Sequence, residues 1–193
     1  MTPKQSSARR SRVETQDFDE FVRRQQAEAP IESAVDWDEQ RDQWLDHLND
    51  LYAKIESLLR KYISSGQIHL EKRPIRLNEE NIGSYTAEQM VLRIGRQEVN
   101  LVPVGTLLIG FKGRVDVEGP AAKAQIALVD SKASSAASLI HVSVGIGSKN
   151  LALKKAAEPI EWAWRIVTPP PERRFIEITQ ETLFQLIMEV ANA

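Results

Sequence analysis

Residues 36–66 read DWDEQRDQWLDHLNDLYAKIESLLRKYISSG. Within them Trp44, Leu48, Leu51, Ile55, Leu58 and Tyr62 recur in steps of four and three, and Leu45, Tyr52 and Leu59 widen the stripe on one flank. This period predicts a long amphipathic helix from Asp36 to about Ser64. Its apolar face is too broad for a strict coiled-coil seam and suits packing on a sheet. Asp36 stands where a capping residue belongs, followed by Asp38 and Glu39, while Arg60 and Lys61 lie near the other end, as the helix dipole favours. Ser64-Ser65-Gly66 ends the element, with Gly66 placed for a left-handed cap.

After Gly66 the period changes to two. Ile68 and Leu70 alternate with His69 and Glu71, and Pro74 confines that strand to an edge or an end. Asn78–Tyr85 reads as a turn-rich connection. Met90–Ile94, Glu98–Val102, Thr106–Ile109, Phe111–Glu118, Ala124–Asp130, Leu139–Val144 and Asn150–Leu153 read as short strands, with a mobile Ser/Ala loop over Ser131–Ser138. The cleanest alternation is Ile160, Trp162, Trp164 and Ile166, which predicts a strand with both tryptophans on its core face. Pro169-Pro170-Pro171 is extended and leads into Phe175–Ile178. Thr179 then caps a last helix carrying Leu183, Leu186, Ile187 and Val190.

Strands in succession, bracketed by helices, predict an α+β fold: a long N-terminal helix and a short C-terminal helix packed on a mainly antiparallel β-sheet. Alternating βα units are absent, which argues against a doubly wound nucleotide-binding fold. Three regions follow. Residues 1–16 are polar and aperiodic and predict a disordered basic tail; residues 17–66 form an acidic helical region; residues 67–193 form an antiparallel β body with the C-terminal helix. Within the second region, Phe18, Phe21 and Val22 share one face of a short helix over 17–29 that Pro30 stops.

With 42% hydrophobic and 27% charged residues in 193, the composition is that of an ordinary globular chain. The absence of cysteine rules out disulfides, zinc–thiolate sites, iron–sulfur clusters and thiol catalysis, and fits a cytoplasmic protein. No run approaches the roughly 18 apolar residues of a membrane span, and no apolar run follows the first basic residues, so neither a membrane nor a secretory leader is expected. The net charge of −2 is uneven: residues 14–56 carry 13 acidic and 4 basic side chains, and residues 57–193 carry 14 acidic and 17 basic ones. Such asymmetry suits a partner-binding arm or an acidic arm lying on its own body.

Catalytic motifs are few. Asp116, followed by Asp130-Ser131-Lys132, resembles the acidic positions of the PD-(D/E)xK nucleases. In those enzymes an acid on one hairpin strand and an acid-x-Lys element on the other meet around magnesium. The resemblance implies Asp116, Asp130 and Lys132 as catalytic residues of a metal-dependent nuclease. Strand geometry speaks against it. With a turn at 118–122, Val117 pairs near Lys123 and Asp116 near Ala124, which leaves Asp130 roughly 20 Å from Asp116. Gly145-Ile-Gly-Ser-Lys149 lacks the spacer and following helix of a phosphate-binding loop and reads as a hairpin turn. His47, His69 and His141 are scattered, so no metal or cofactor is expected. Nucleic-acid binding has only the short clusters Arg9-Arg10-Arg12, Lys154-Lys155 and Arg173-Arg174 to draw on.

The leading expectation is a non-enzymatic protein-interaction or assembly subunit, binding a protein partner or a second copy of itself through the N-terminal helices. A nucleic-acid-binding accessory or a nuclease is the alternative. The long helix spans about 42 Å, against about 17–20 Å for an ordinary strand. An overhanging N-terminal end would leave Trp37, Arg41 and Trp44 as the partner-binding residues, outside the monomer core.

Overall fold

The computed structural model describes residues 18, 20, 23, 36–106, 111–135, 160–171 and 173–192. The chain falls into two compact units, Met1–Asp36 and Trp37–Ala193. In the first unit Phe18, Glu20 and Arg23 are helical. The second unit holds the long helix α1 (Trp37–Ser64), seven strands β1 (His69–Glu79), β2 (Gly83–Ile94), β3 (Gln97–Gly105), β4 (Gly113–Glu118), β5 (Lys123–Asp130), β6 (Trp162–Val167) and β7 (Phe175–Glu177), and the C-terminal helix α2 (Gln180–Ala191). The strands form one sheet in sequence order, every neighbouring pair antiparallel. The chain is therefore α+β, with helices at both ends of an antiparallel meander. Among the described residues no helix is long and apolar enough to cross a membrane. The expected tail over 1–16, the strands over Leu139–Val144 and Asn150–Leu153, the turn at Gly145–Lys149 and most of the strand over Thr106–Ile109 lie outside the described residues.

The stripe of α1 is the floor of the core. Trp44, Leu48, Leu51, Tyr52, Ile55 and Leu59 are buried. They meet Met90, Leu92, Val99, Leu101, Val115, Val117, Ile126, Leu128 and Trp164 from the sheet in a single cluster. Tyr52 carries its polar end into this cluster because its hydroxyl donates to Glu88 O at 2.7 Å, which removes the penalty of an unpaired buried donor. Burial pushes the Tyr52 pKa up. Trp164 is 8% exposed and Trp162 packs at the edge of the same cluster, as their alternation with polar neighbours predicts. Ile160 precedes the strand and is exposed, so the buried face begins only at Trp162. Trp164 Nε1 donates to His47 O at 2.8 Å and so ties β6 to α1.

The first two strands are longer than their sequence suggests. Asn78–Tyr85 is not one long connection: the ladder runs unbroken from His69↔Arg93 to Glu79↔Gly83, leaving a turn of residues 80–82. Leu77 and Tyr85 pack on the core from within that segment, between polar neighbours that obscure the alternation. The core-facing side changes from Leu70, Met90 and Leu92 near the base to Ile75, Leu77, Tyr85 and Ala87 toward the tip. The register holds while the ribbon coils, as two-stranded ribbons do. Pro74 sits on β1, the edge strand, as expected.

The coiled tip is fastened to the far end of β3. Thr106 donates to Glu79 Oε2 from its N–H at 2.8 Å and its hydroxyl at 2.9 Å, and the Tyr85 hydroxyl donates to Glu79 Oε1. Gly105 has φ +137°, and a Cβ there would stand 2.8 Å from the Glu79 carboxyl carbon. Only glycine lets β3 approach that closely in that conformation.

On the opposite side of the sheet's length, α2 begins with a reciprocal Thr179–Thr182 capping box and buries Leu183, Leu186, Ile187, Val190 and Ala191. Its last turn accepts backbone hydrogen bonds at Val190 O from Ala121 N (2.9 Å) and Ala122 N (3.4 Å). These bonds grip the β4–β5 turn. Gly119 N donates to Ala122 O, so the turn is shorter by one residue than the expected 118–122. Val117 pairs with Ala124, Asp116 with Gln125 and Glu118 with Lys123, a one-residue correction to the expected register.

Candidate functional site

The expected partner-binding residues lie in the first two turns of α1 and separate into two environments. Trp44 is 1% exposed. Its ring centroid is 5.9 Å from that of Trp164, and a Cβ on Gly113 would fall 2.2 Å from its Cζ3. The expectation that Trp44 lies outside the monomer core is corrected. The physical reason is the length of the β1–β2 hairpin: strands of 11 and 12 residues reach about 37–41 Å at ~3.4 Å per residue, twice an ordinary strand. The hairpin therefore follows α1 along most of its length. The Tyr85 hydroxyl near its tip comes beside Trp44 Nε1, which is buried without a well-aligned acceptor.

Trp37 is half-buried, and no residue from Trp37 to Gln43 is fully buried. Arg41 folds back along its own helix, with Nη1 2.7 Å from Asp38 Oδ1 and Nη2 2.9 Å from Asp42 Oδ1. Those two carboxylates raise the Arg41 pKa, the hydrogen bond to Asp42 most of all. The arginine is thus a clasp within a row of acids. Asp38, Asp42, Asp46 and Asp50 follow one another at intervals of four on the exposed face of α1, with Glu39 beside them. Asp38 and Glu39 occupy the first turn, where the dipole favours an acid. Asp46 and Asp50 lie beyond the reach of that effect.

The acids implied by the nuclease resemblance are not brought together. Asp116 is opposite Gln125, and Asp130 lies five residues farther along β5. That separation is about 17 Å at ~3.4 Å per residue. An odd number of steps also turns the two side chains to opposite faces of the sheet. Asp116 is held by Arg114, with Nε 2.9 Å from Oδ1, and burial nevertheless raises its pKa. Asp130 Oδ1 accepts from the backbone N–H of Lys132 at 2.9 Å, closing a local turn. Among the described residues no three His, Asp or Glu side chains converge as a metal site. Purified protein incubated with magnesium or manganese is expected to leave DNA and RNA intact. Metal-dependent cleavage abolished equally by Asp116→Ala and Asp130→Ala would contradict this strand register.

His47 is partly buried, and its pKa is lowered, first by burial and then by Lys112. His69 is exposed, and His141 lies outside the described residues, as do the clusters Arg9-Arg10-Arg12 and Lys154-Lys155. The feature that the hydrophobic reading of α1 passed over is its acidic back. Its signal in the sequence is four aspartates at helical spacing. Comparison with known protein families, with curated proteins and with solved structures finds no match.

Proposed function

We propose that this chain is a non-enzymatic interaction subunit that engages a basic protein surface through the outward face of α1, with Trp37 and the Arg41 clasp at the N-terminal end of the contact. Trp44 supports the helix from below and takes no direct part. One observation carries the reading: Asp38, Asp42, Asp46 and Asp50 form an exposed row at four-residue intervals. Like charges at this spacing destabilise an isolated helix by about 0.2–0.5 kcal/mol per pair. Arg41 relieves the first pair. Among the described residues the Asp42–Asp46 and Asp46–Asp50 spacings have no such clasp, a standing cost that a cationic partner offsets. The same row repels phosphate, which disfavours a nucleic-acid partner at this face.

The test is a charge-reversed chain, Asp42→Lys, Asp46→Lys and Asp50→Lys together. Proteins captured from the native host by the wild-type chain would be identified by mass spectrometry, then titrated individually against both chains at low and high salt. The expected outcome is a partner with a basic surface whose binding weakens with salt and is lost on reversal, while the variant's melting temperature stays within a few degrees of wild type. Partners retained undiminished by the reversed chain would sink the proposal. Light scattering of the two chains tests self-association through the same face, since an assembly held by these acids would dissociate on reversal.

A further inference from the structure

Beside α2 the sheet opens into a cleft of about 410 Å³, within the ~300–1,000 Å³ of small-molecule sites. It forms because β6 ends at Val167 while β5 continues: Gln125↔Val167 is the last pair, and Lys123 and Ala124 extend beyond it. Carried two residues farther, the register would set Lys123 opposite Pro169 and Pro169 opposite Arg173, with Lys123 and Arg173 about 10 Å apart. Backbone orientation is fixed as well. Ala122 O accepts from Gly119 N, and Leu128 O accepts from Lys112 N, so the even-numbered residues of β5 turn their backbone groups toward β4. Lys123 then turns its backbone N–H and C=O the other way, toward the line of β6, whose ladder with β5 ends at Gln125↔Val167.

The charges in the cleft reduce to two. Asp116 is paired with Arg114 at 2.9 Å, and Lys123 Nζ with Glu118 at 2.6 Å. Of the charged residues lining the cleft, that leaves Arg173 and Glu189, both exposed and without an ion pair among the described residues. Ile166, Ile176 and Leu186 give the cleft an aliphatic surface beside the polar Thr182 and Gln185 of α2, and Ile176 is 38% exposed. One cation, one anion and an aliphatic wall are complementary to a small molecule carrying a carboxylate, an ammonium and an apolar chain.

We propose that the cleft between α2 and the ends of β5 and β6 binds a small zwitterion of the amino-acid type. Arg173 receives its carboxylate, Glu189 receives its ammonium, and its side chain lies on Ile166, Ile176 and Leu186. The site is independent of the acidic face of α1.

Isothermal titration calorimetry with norleucine, hexanoate and hexylamine separates the two charges from the apolar chain. Norleucine is expected to bind saturably. Hexanoate and hexylamine, each lacking one charge, are expected to bind about tenfold or more weakly, and Arg173→Ala and Glu189→Gln to weaken norleucine by a similar factor, as loss of a charged hydrogen bond does. Because both side chains are exposed, circular dichroism and melting of the free variants are expected to match wild type. Absence of saturable norleucine binding would overturn the proposal. So would equal binding of hexanoate or hexylamine, or undiminished binding by both variants.

Discussion

Trp44→Ala is expected to destabilise the folded chain by about 3–5 kcal/mol, the range for deleting a buried large aromatic. For a domain of this size that corresponds to a fall in melting temperature of roughly 6–20 °C. The indole joins the helix to three parts of the sheet. It packs against Trp164 of β6 and over Gly113 at the start of β4, and it lies beside Tyr85 near the tip of the β1–β2 hairpin. Alanine leaves all three facing a void, which such a well-packed site closes only in part. Trp37→Ala is the internal comparison. Its ring is half-buried in the first turn, and its loss is expected to cost much less. Thermal melting combined with light scattering distinguishes the roles. An unchanged melting point for Trp44→Ala, together with loss of an assembly, would place that ring at an intermolecular contact and contradict its place in the core.

Gly113→Ala is expected to be the most damaging single methyl addition in this region. The new Cβ would stand 2.2 Å from Trp44 Cζ3 and 2.6 Å from Cε3, a separation that no pair of non-bonded carbon atoms tolerates. Trp164 lies 5.9 Å away, centroid to centroid, and crowds the indole's retreat. Either the strand start or the helix has to shift. Overpacking of this kind typically costs about 1–3 kcal/mol, and denaturant unfolding reads it directly. The double mutant provides a sharper measurement. Trp44→Phe shortens the ring system and also removes the indole N–H, which is buried without an aligned acceptor. Combined with Gly113→Ala it is expected to be more stable than the sum of the two single changes by about 1 kcal/mol, since residues in contact couple by ~0.5–3 kcal/mol. Strict additivity would mean that the two positions do not touch.

These residues also mark where sequence reading succeeds and where it stops. The stripe from Trp44 to Leu59 is legible because a helix repeats every 3.6 residues, and burial along one face requires apolar side chains at that period. The same is true of Trp162, Trp164 and Ile166 with period two, and of Thr179 as a cap, whose hydrogen bonds run to residues three positions away. Asn78–Tyr85 is not legible. Its exposed polar residues sit on the outer side of a coiling ribbon, Glu79 turns inward to Thr106 and Tyr85, and the inward side changes parity along the ribbon, so no fixed period survives. The one-residue error at the β4–β5 turn has a similar origin: the turn is held by Val190 O of α2, some 70 residues away in the chain.

The candidate sites divide in the same way. The acidic row from Asp38 to Asp50 and the separation of Asp116 from Asp130 follow from local geometry, which the sequence determines through helical spacing and strand rise. Whether Trp44 faces a partner or the monomer core depends instead on how far β1 and β2 extend, and that is decided by contacts between segments distant in the chain. The cleft beside α2 belongs wholly to the tertiary structure. Lys123 lies on β5, Arg173 just before β7 and Glu189 on α2, and only the early end of β6 and the docking of α2 bring them around one space. Local sequence sets the period and the caps of each element because their energies are exchanged between neighbours. Register, strand length and convergence depend on long-range packing, where the geometry of the whole sheet outweighs any local preference.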